Sequence, residues 1–192
     1  MDQTDEELVR AYYGGDSKAF EMLFVRHKVK VFNFSLRMLS VRADAEDVTS
    51  DVFIQLFGKR FKDDGRAKLT TWLFTVARNA SLTKLRSIKN TVSLWFKQAG
   101  TDEYHEWDVP DPGESSSEIM DQHEQALKVK KALQALPVEQ KEALILREYF
   151  QKDYQEISQI LGCSLEKVKV LIFRGREALR KKILGELKEE GL

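Results

Sequence analysis

The chain has few of the residues that punctuate or cross-link a fold. Its 192 residues hold one cysteine, Cys163, three prolines and ten glycines. A lone cysteine excludes a disulfide framework and any cysteine-based zinc cluster. So little proline and glycine argues against a loop-rich β protein and for an all-α one. No apolar run approaches the roughly 18 residues that cross a bilayer, so no direct membrane insertion is expected. The opening Met1-Asp2-Gln3-Thr4-Asp5-Glu6-Glu7 is acidic and polar, unlike a signal peptide, which points to a reduced, cytoplasmic protein. There is no Gly-rich phosphate loop, no nucleophile–base pair and no metal cluster. Catalysis, cofactors and a bound metal are therefore not expected.

Net charge is also missing, since 31 Lys+Arg balance 31 Asp+Glu. The balance hides a strong segregation. Residues 59–100 carry ten basic side chains against Asp63 and Asp64, residues 101–125 carry nine acidic ones and no Lys or Arg, and residues 161–182 carry seven basic against two acidic. Two basic blocks point to a polyanion partner, although one such block alone is commonly a solvated helix face. The acidic stretch also holds Pro110, Pro112, Gly113 and Ser115-Ser116-Ser117. That mixture buries little apolar surface and reads as a flexible linker. It spans 96–117 and separates two small helical domains, 1–95 and 118–192. Tyr104 and Trp107 are unusual in such a linker and suit docking on a domain or a partner.

The periodicity is helical throughout. Thr4 and Glu7 form a capping box that opens the first helix. After Gly14-Gly15-Asp16, a second helix carries Phe20, Leu23, Phe24, His27, Val31 and Phe34 as an apolar stripe. A third covers 43–57, with Val48, Val52 and Leu56 inward. A basic break from Gly58 to Gly65 precedes a fourth, from Lys68 to Arg86, with Leu69, Leu73, Val76, Ala77 and Ala80 on one face. The second half begins with a helix over 118–135. Pro137 suits the first turn of the next, which runs to Tyr149 with Leu144 inward.

The densest signal is Tyr154 to Lys169. Asp153 and Glu156 cap a short helix that ends at Leu161. Gly162 can take the left-handed conformation that turns the chain sharply. Ser164 can cap a long helix from Leu165 to about Glu190. Ile157, Leu161 and Val168 stand where a helix-turn-helix needs apolar contact, and Ser158 is small enough for close crossing. Lys167, Lys169, Arg174, Arg176 and Arg180 follow, as a recognition helix in a major groove requires.

Two blocks resemble one family. The first is Ala45-Glu46-Asp47-Val48, Asp51-Val52-Phe53 and Thr71-Trp72-Leu73-Phe74-Thr75-Val76-Ala77-Arg78-Asn79. The second is Leu136-Pro137, Gln140-Lys141-Glu142, Tyr154-Gln155-Glu156-Ile157, Leu161-Gly162, Val168-Lys169 and Arg174-Gly175-Arg176-Glu177-Ala178-Leu179-Arg180. Nearly the whole chain resembles the small extracytoplasmic-function (ECF) sigma factors of bacterial RNA polymerase. The resemblance implies that the first block docks on core RNA polymerase, at the β′ clamp helices, and melts and reads the −10 element. It implies that the second block binds the −35 element of promoter DNA, and that an anti-sigma factor regulates the chain.

Residue by residue, Asp44, Asp47 and Asp51 share one face of the third helix, and Gln55 continues it. This is a docking row in the polymerase reading; a solvated face is the alternative, and a divalent-metal site is disfavoured because no histidine or second carboxylate-bearing helix is near. Trp72, Arg78, Asn79, Lys84 and Arg86 supply a ring, cations and an amide that could hold an unstacked −10 base. For Trp72, helix packing is an equal alternative. Lys84 to Thr91 reads as the loop that captures the flipped base. In the recognition helix, Glu166, Lys167, Val170 and Leu171 are expected to face the groove. Lys169 lies among them, and Arg174 and Arg176 are expected on phosphates. Val170 and Leu171 replace the family's serine and arginine, leaving thymine-methyl contact or phosphate contact alone. Gly175 replaces a common alanine, at about 1 kcal/mol in a helix interior. His27 reads as a packed histidine and Cys163 as a small buried residue.

Overall fold

The computed structural model describes residues 3–62, 68–98 and 127–189. These form helices only: α1 (Asp5–Tyr13), α2 (Ser17–Leu39), α3 (Arg42–Phe57), α4 (Leu69–Gln98), α5 (127–134), α6 (Val138–Leu144), α7 (Tyr154–Leu161) and α8 (Leu165–Glu189). Among the described residues no strand is present. No helix among them is long and apolar enough to cross a membrane. The chain divides into two compact units, drawn mainly from its two halves. Residues 99–117 of the expected linker, with Tyr104 and Trp107, lie outside the described residues, as do 63–67 and 118–126.

In the first unit α2 packs against α1, α3 and α4, and α3 packs against α4. The reason is visible in the sequence periods. Leu23, Val31, Phe34 and Met38 of α2, Val48, Val52 and Leu56 of α3, and Leu69, Leu73 and Ala77 of α4 recur at three- and four-residue steps, and all are essentially inaccessible. Phe74 completes this core, its ring edge-on to Phe34 with centroids 5.3 Å apart. The capping box of α1 is made from both sides: Glu7 donates its N–H to Thr4 Oγ1 at 3.2 Å, and Thr4 donates its own to Glu7 Oε2 at 2.8 Å. Tyr12 and Tyr13 donate hydroxyls to the carbonyls of Phe57 and Phe61 at 2.8 Å each, pinning the end of α3 to α1. Ser40 ends α2 in the left-handed region, φ 66°, an uncommon conformation for a side-chain-bearing residue.

His27 is packed as expected, but it also faces a carboxylate. Its Nε2 lies 2.8 Å from Asp5 Oδ2, while Arg26 Nη1 donates to Asp5 Oδ1 at 2.7 Å and to the Gln3 carbonyl at 3.0 Å. Burial pushes the Asp5 carboxyl up, but hydrogen bonds and charge from His27 and Arg26 outweigh it, so its pKa lies below the ordinary value.

The second unit is built on α6 and α8, which pack together. Leu144, as expected, is buried, with Ile145, Leu146, Ile157, Ile160, Val168 and Ile172. Pro137 stands one position before the place assigned to it. It precedes α6 as its N-cap with ψ 139°, and Val138 is the first helical residue. The helix does run to Tyr149, but its last five residues, Ile145–Tyr149, widen into a π turn. Lys141 and Glu142 of α6 are buried; Lys141 donates to Gln134 Oε1 at 2.8 Å, and burial lowers its pKa.

α4 is longer than its apolar stripe suggested. It continues unbroken through Gln98, so Lys84 to Thr91 is helix and not a base-capturing loop. The physical reason is that residues 81–98 contain no glycine or proline to break the backbone ladder. Residues 96–98, assigned to the linker, belong to this helix.

Candidate nucleic-acid interface and docking surface

The helix-turn-helix is assembled as its sequence requires. Asp153 and Glu156 form a second reciprocal capping box, with bonds of 2.7 and 3.2 Å, at the start of α7. Gly162 sits at φ 64°, ψ 40°, the left-handed geometry that glycine tolerates without a Cβ penalty. Ser158 Oγ donates to the Cys163 carbonyl at 2.5 Å and braces the turn. The Lys167 N–H donates to Ser164 Oγ at 3.2 Å, so Ser164 caps α8. Cys163 itself is only half-buried.

Val168, Leu171, Ile172 and Gly175 are buried and define the inner side of α8. At 100° per residue this places Glu166, Lys169, Val170, Phe173, Arg174 and Glu177 outward, and all are exposed. One groove assignment is thereby corrected. Leu171 is 8 % exposed and belongs to the core, because it lies three residues after buried Val168 on the same side. Phe173 is the apolar residue that takes the outward place, 67 % exposed, beside Val170 at 44 %. Its signal was present in the sequence as an aromatic three residues beyond Val170, but matching motif positions passes over it.

The expected glycine penalty also has a structural reason. A Cβ on Gly175 would stand 2.9 Å from Leu144 Cδ1 and 3.0 Å from its Cγ. The glycine is what lets α8 approach α6 this closely.

Several cations assigned to DNA are engaged within the protein. Lys167 Nζ donates to Glu139 Oε1 of α6 at 2.8 Å. Arg176 donates through Nε at 3.0 Å and Nη2 at 2.6 Å to Glu148 Oε1, carried by the π turn. These bonds raise the pKa of both cations. In the first unit Lys84 Nζ lies 3.0 Å from Asp44 Oδ1 and 2.8 Å from Asp47 Oδ2. Hydrogen bonding to Asp47 and Asp44 raises its pKa. Residues assigned separately to DNA and to docking thus meet at one place between α3 and α4.

The rest of the first-unit set divides. Asp47 and Asp51 are exposed, Asp44 and Gln55 half-buried. Trp72 is half-buried and packs edge-on to Phe61, with centroids 5.8 Å apart. Arg78 is half-buried, with its Nη1 3.5 Å from the Asn79 Oδ1; Asn79 and Arg86 are exposed on α4. Among the described residues no group of three potential metal ligands converges.

Comparison with known proteins agrees with this architecture. Sigma-70 region 2 matches residues 23–91, and Sigma-70 region 4 matches residues 126–179. The chain is 31% identical to the ECF RNA polymerase sigma-E factor of Haemophilus influenzae over 187 residues, covering 94% of this chain and 95% of the relative. It is 28% identical to the RNA polymerase sigma-H factor of Pseudomonas aeruginosa over 188 residues, covering 97% of each. Among solved structures it shares its fold with the sigma factor RpoE of Bartonella quintana, solved with the anti-sigma factor NepR. That match has a TM-score of 0.68 at 24% identity and covers 86% of this chain and 97% of that one. With both sigma regions in order and full-length relatives on either side, the chain belongs to the ECF RNA polymerase sigma factors.

Proposed function

We propose that this sigma factor binds core RNA polymerase through α3 and directs initiation by engaging the −10 element with α4 and the −35 element with α8. The observation that carries the reading is the outward face of α8. It presents Glu166, Lys169, Val170, Phe173 and Arg174 from a helix fixed behind a glycine turn, with Lys167 and Arg176 at its margins. Such a face suits major-groove entry, with apolar side chains near thymine methyls and cations near phosphates. On α3, Asp47, Asp51 and Gln55, with Asp44 beside them, form the docking row for the β′ clamp helices. On α4, Arg78, Asn79 and Arg86 line the DNA side of the helix, Lys84 turns toward α3 and its Asp44 and Asp47, and Trp72 supports the helix by packing on Phe61.

In this reading residues 1–95 serve as the docking and −10 domain and residues 118–192 as the −35 domain. The chain acts in the cytoplasm without catalysis or cofactor of its own. An anti-sigma factor is a further partner, supported by the complex with the anti-sigma factor NepR in which the RpoE structure of the same fold was solved.

The test is run-off transcription with core polymerase on a promoter library. Discrete products that depend on the chain are expected. Core enzyme that initiates identically with and without it would overturn the reading.

A further inference from the structure

We infer that Glu139 and Glu148 act as built-in competitors of DNA phosphate, each occupying a cation of α8 while the chain is off DNA. The inference rests on the reading of α8 as the DNA-facing helix. Both carboxylates lie 28 residues before their partners, on α6 and its π turn, so they reach across from another element. They are not the neighbour pairs that support a helix from within. All four side chains are about half exposed: 47% for Lys167 and 58% for Glu139, 54% for Arg176 and 49% for Glu148. Ion pairs this open add little to folding. They do change what an arriving phosphate meets.

Arg176 shows this most clearly. Its Nε and Nη2 form one of the two edges by which a guanidinium grips an oxyanion, and both point to Glu148 Oε1. A phosphate using that edge must displace the carboxylate, which then remains nearby as an uncompensated like charge. Lys167 offers three donors, one of them directed at Glu139. Binding at both cations is therefore an exchange of anions. The exchange is blind to base sequence and lowers affinity for every duplex, while contacts from Val170 and Phe173 to base edges are untouched. The carboxylates weaken the part of binding that carries no sequence information.

Fluorescence anisotropy of the full chain on a short mixed-sequence duplex, over a series of salt concentrations, tests this. Glu139→Gln and Glu148→Gln should each tighten binding about two- to fivefold. Each should also steepen the salt dependence by up to about one unit, because no freed carboxylate takes up a counterion. Glu21→Gln makes the same charge change on the exposed side of α2 and should do neither. Unchanged affinity and slope in both variants would overturn the inference. So would weaker binding by Glu148→Gln, which would mean that Glu148 orients Arg176 for DNA. If no variant binds duplex while the wild type still directs run-off transcription, the inference fails and the sigma function stands. If the wild type directs no transcription, the sigma function fails first.

Discussion

Asp5 and Glu148 are both carboxylates held by an arginine, and they stand in different physical settings. Asp5 has a side chain 16% exposed and joins α1 to α2 through Arg26 and the buried His27. Glu148 and Arg176 are each about half exposed and join two elements already packed through apolar side chains. The Asp5 link is sheltered and helps hold α1 on α2. The Glu148 link lies over a contact already held by the Leu144–Gly175 approach and the apolar core around it, and Lys167–Glu139 sits equally open. Charges not needed for folding are the ones a partner can take over without unfolding anything.

The sharpest challenge to this comparison lies on the docking row, whose exposed members should also be dispensable for folding. Replacing Asp47 and Asp51 together by lysine should reduce affinity for core polymerase at least about tenfold, since like charges across an interface cost several kcal/mol. The folded state should change little, because an exposed pair such as Lys84–Asp47 contributes at most about 1 kcal/mol. Co-elution with core enzyme and thermal melting measure the two effects. Unfolding of the double variant would show that these charges are structural after all.

Asp5→Asn comes next. It should destabilise the first unit by about 1.5–3 kcal/mol, the range for hydrogen bonds to charged groups. Glu148→Gln should change stability by less than about 0.5 kcal/mol. Equal melting shifts would erase the contrast. The pH dependence follows from the lowered Asp5 pKa. Its contribution is fully present above the unfolded carboxyl value near about pH 4, and is lost as pH falls through the lower folded value. Asp5→Asn should flatten the acid limb of the stability profile, which chemical denaturation at a series of pH values would show.

Phe173→Ala addresses the reading face. It should leave stability unchanged and cost about 1–3 kcal/mol on the preferred −35 sequence, comparable to one mismatched base pair. Binding to mixed-sequence duplex should stay as it was. Selection from a randomised −35 library should return a relaxed preference at one or two positions. A variant that selects the wild-type element unchanged would remove Phe173 from the reading set.

The smallest effect is expected at Gly175. Alanine gains about 1 kcal/mol of helix propensity. Overpacking against Leu144 opposes it by about 1–3 kcal/mol. A net loss of about 1 kcal/mol is expected, measured by denaturant midpoint. A Leu144→Val background should recover part of it.

Local chemistry was readable along the chain. Both capping boxes, the Gly162 turn and the Ser164 cap use partners within a few residues, so their spacing carries the whole signal. The helical core stripes were readable for the same reason. Leu171 was misplaced because a motif position was taken as a direction in space, whereas 100° per residue from buried Val168 turns it inward. Lys84 to Thr91 was taken for a loop from the role expected of it, although a segment without glycine or proline does not end a helix. The meeting of Lys84 with Asp44 and Asp47, 40 and 37 residues earlier, depends on how α3 and α4 pack. No spacing rule within one element contains that information. Phe173 was missed for the same reason as Leu171, since 100° per residue over the five positions from buried Val168 turns it outward.

The continuation of α4 has a consequence in terms of length. Thirty residues at 1.5 Å each make a rod roughly 45 Å long. Arg78 and Arg86 are eight positions apart on it, roughly 12 Å along the axis, or the rise of three to four base pairs. A loop would let its cations adjust to whatever path the nucleic acid takes. A rod holds their spacing constant, so in the proposed engagement of the −10 element the helix serves as a ruler and the DNA supplies the adjustment.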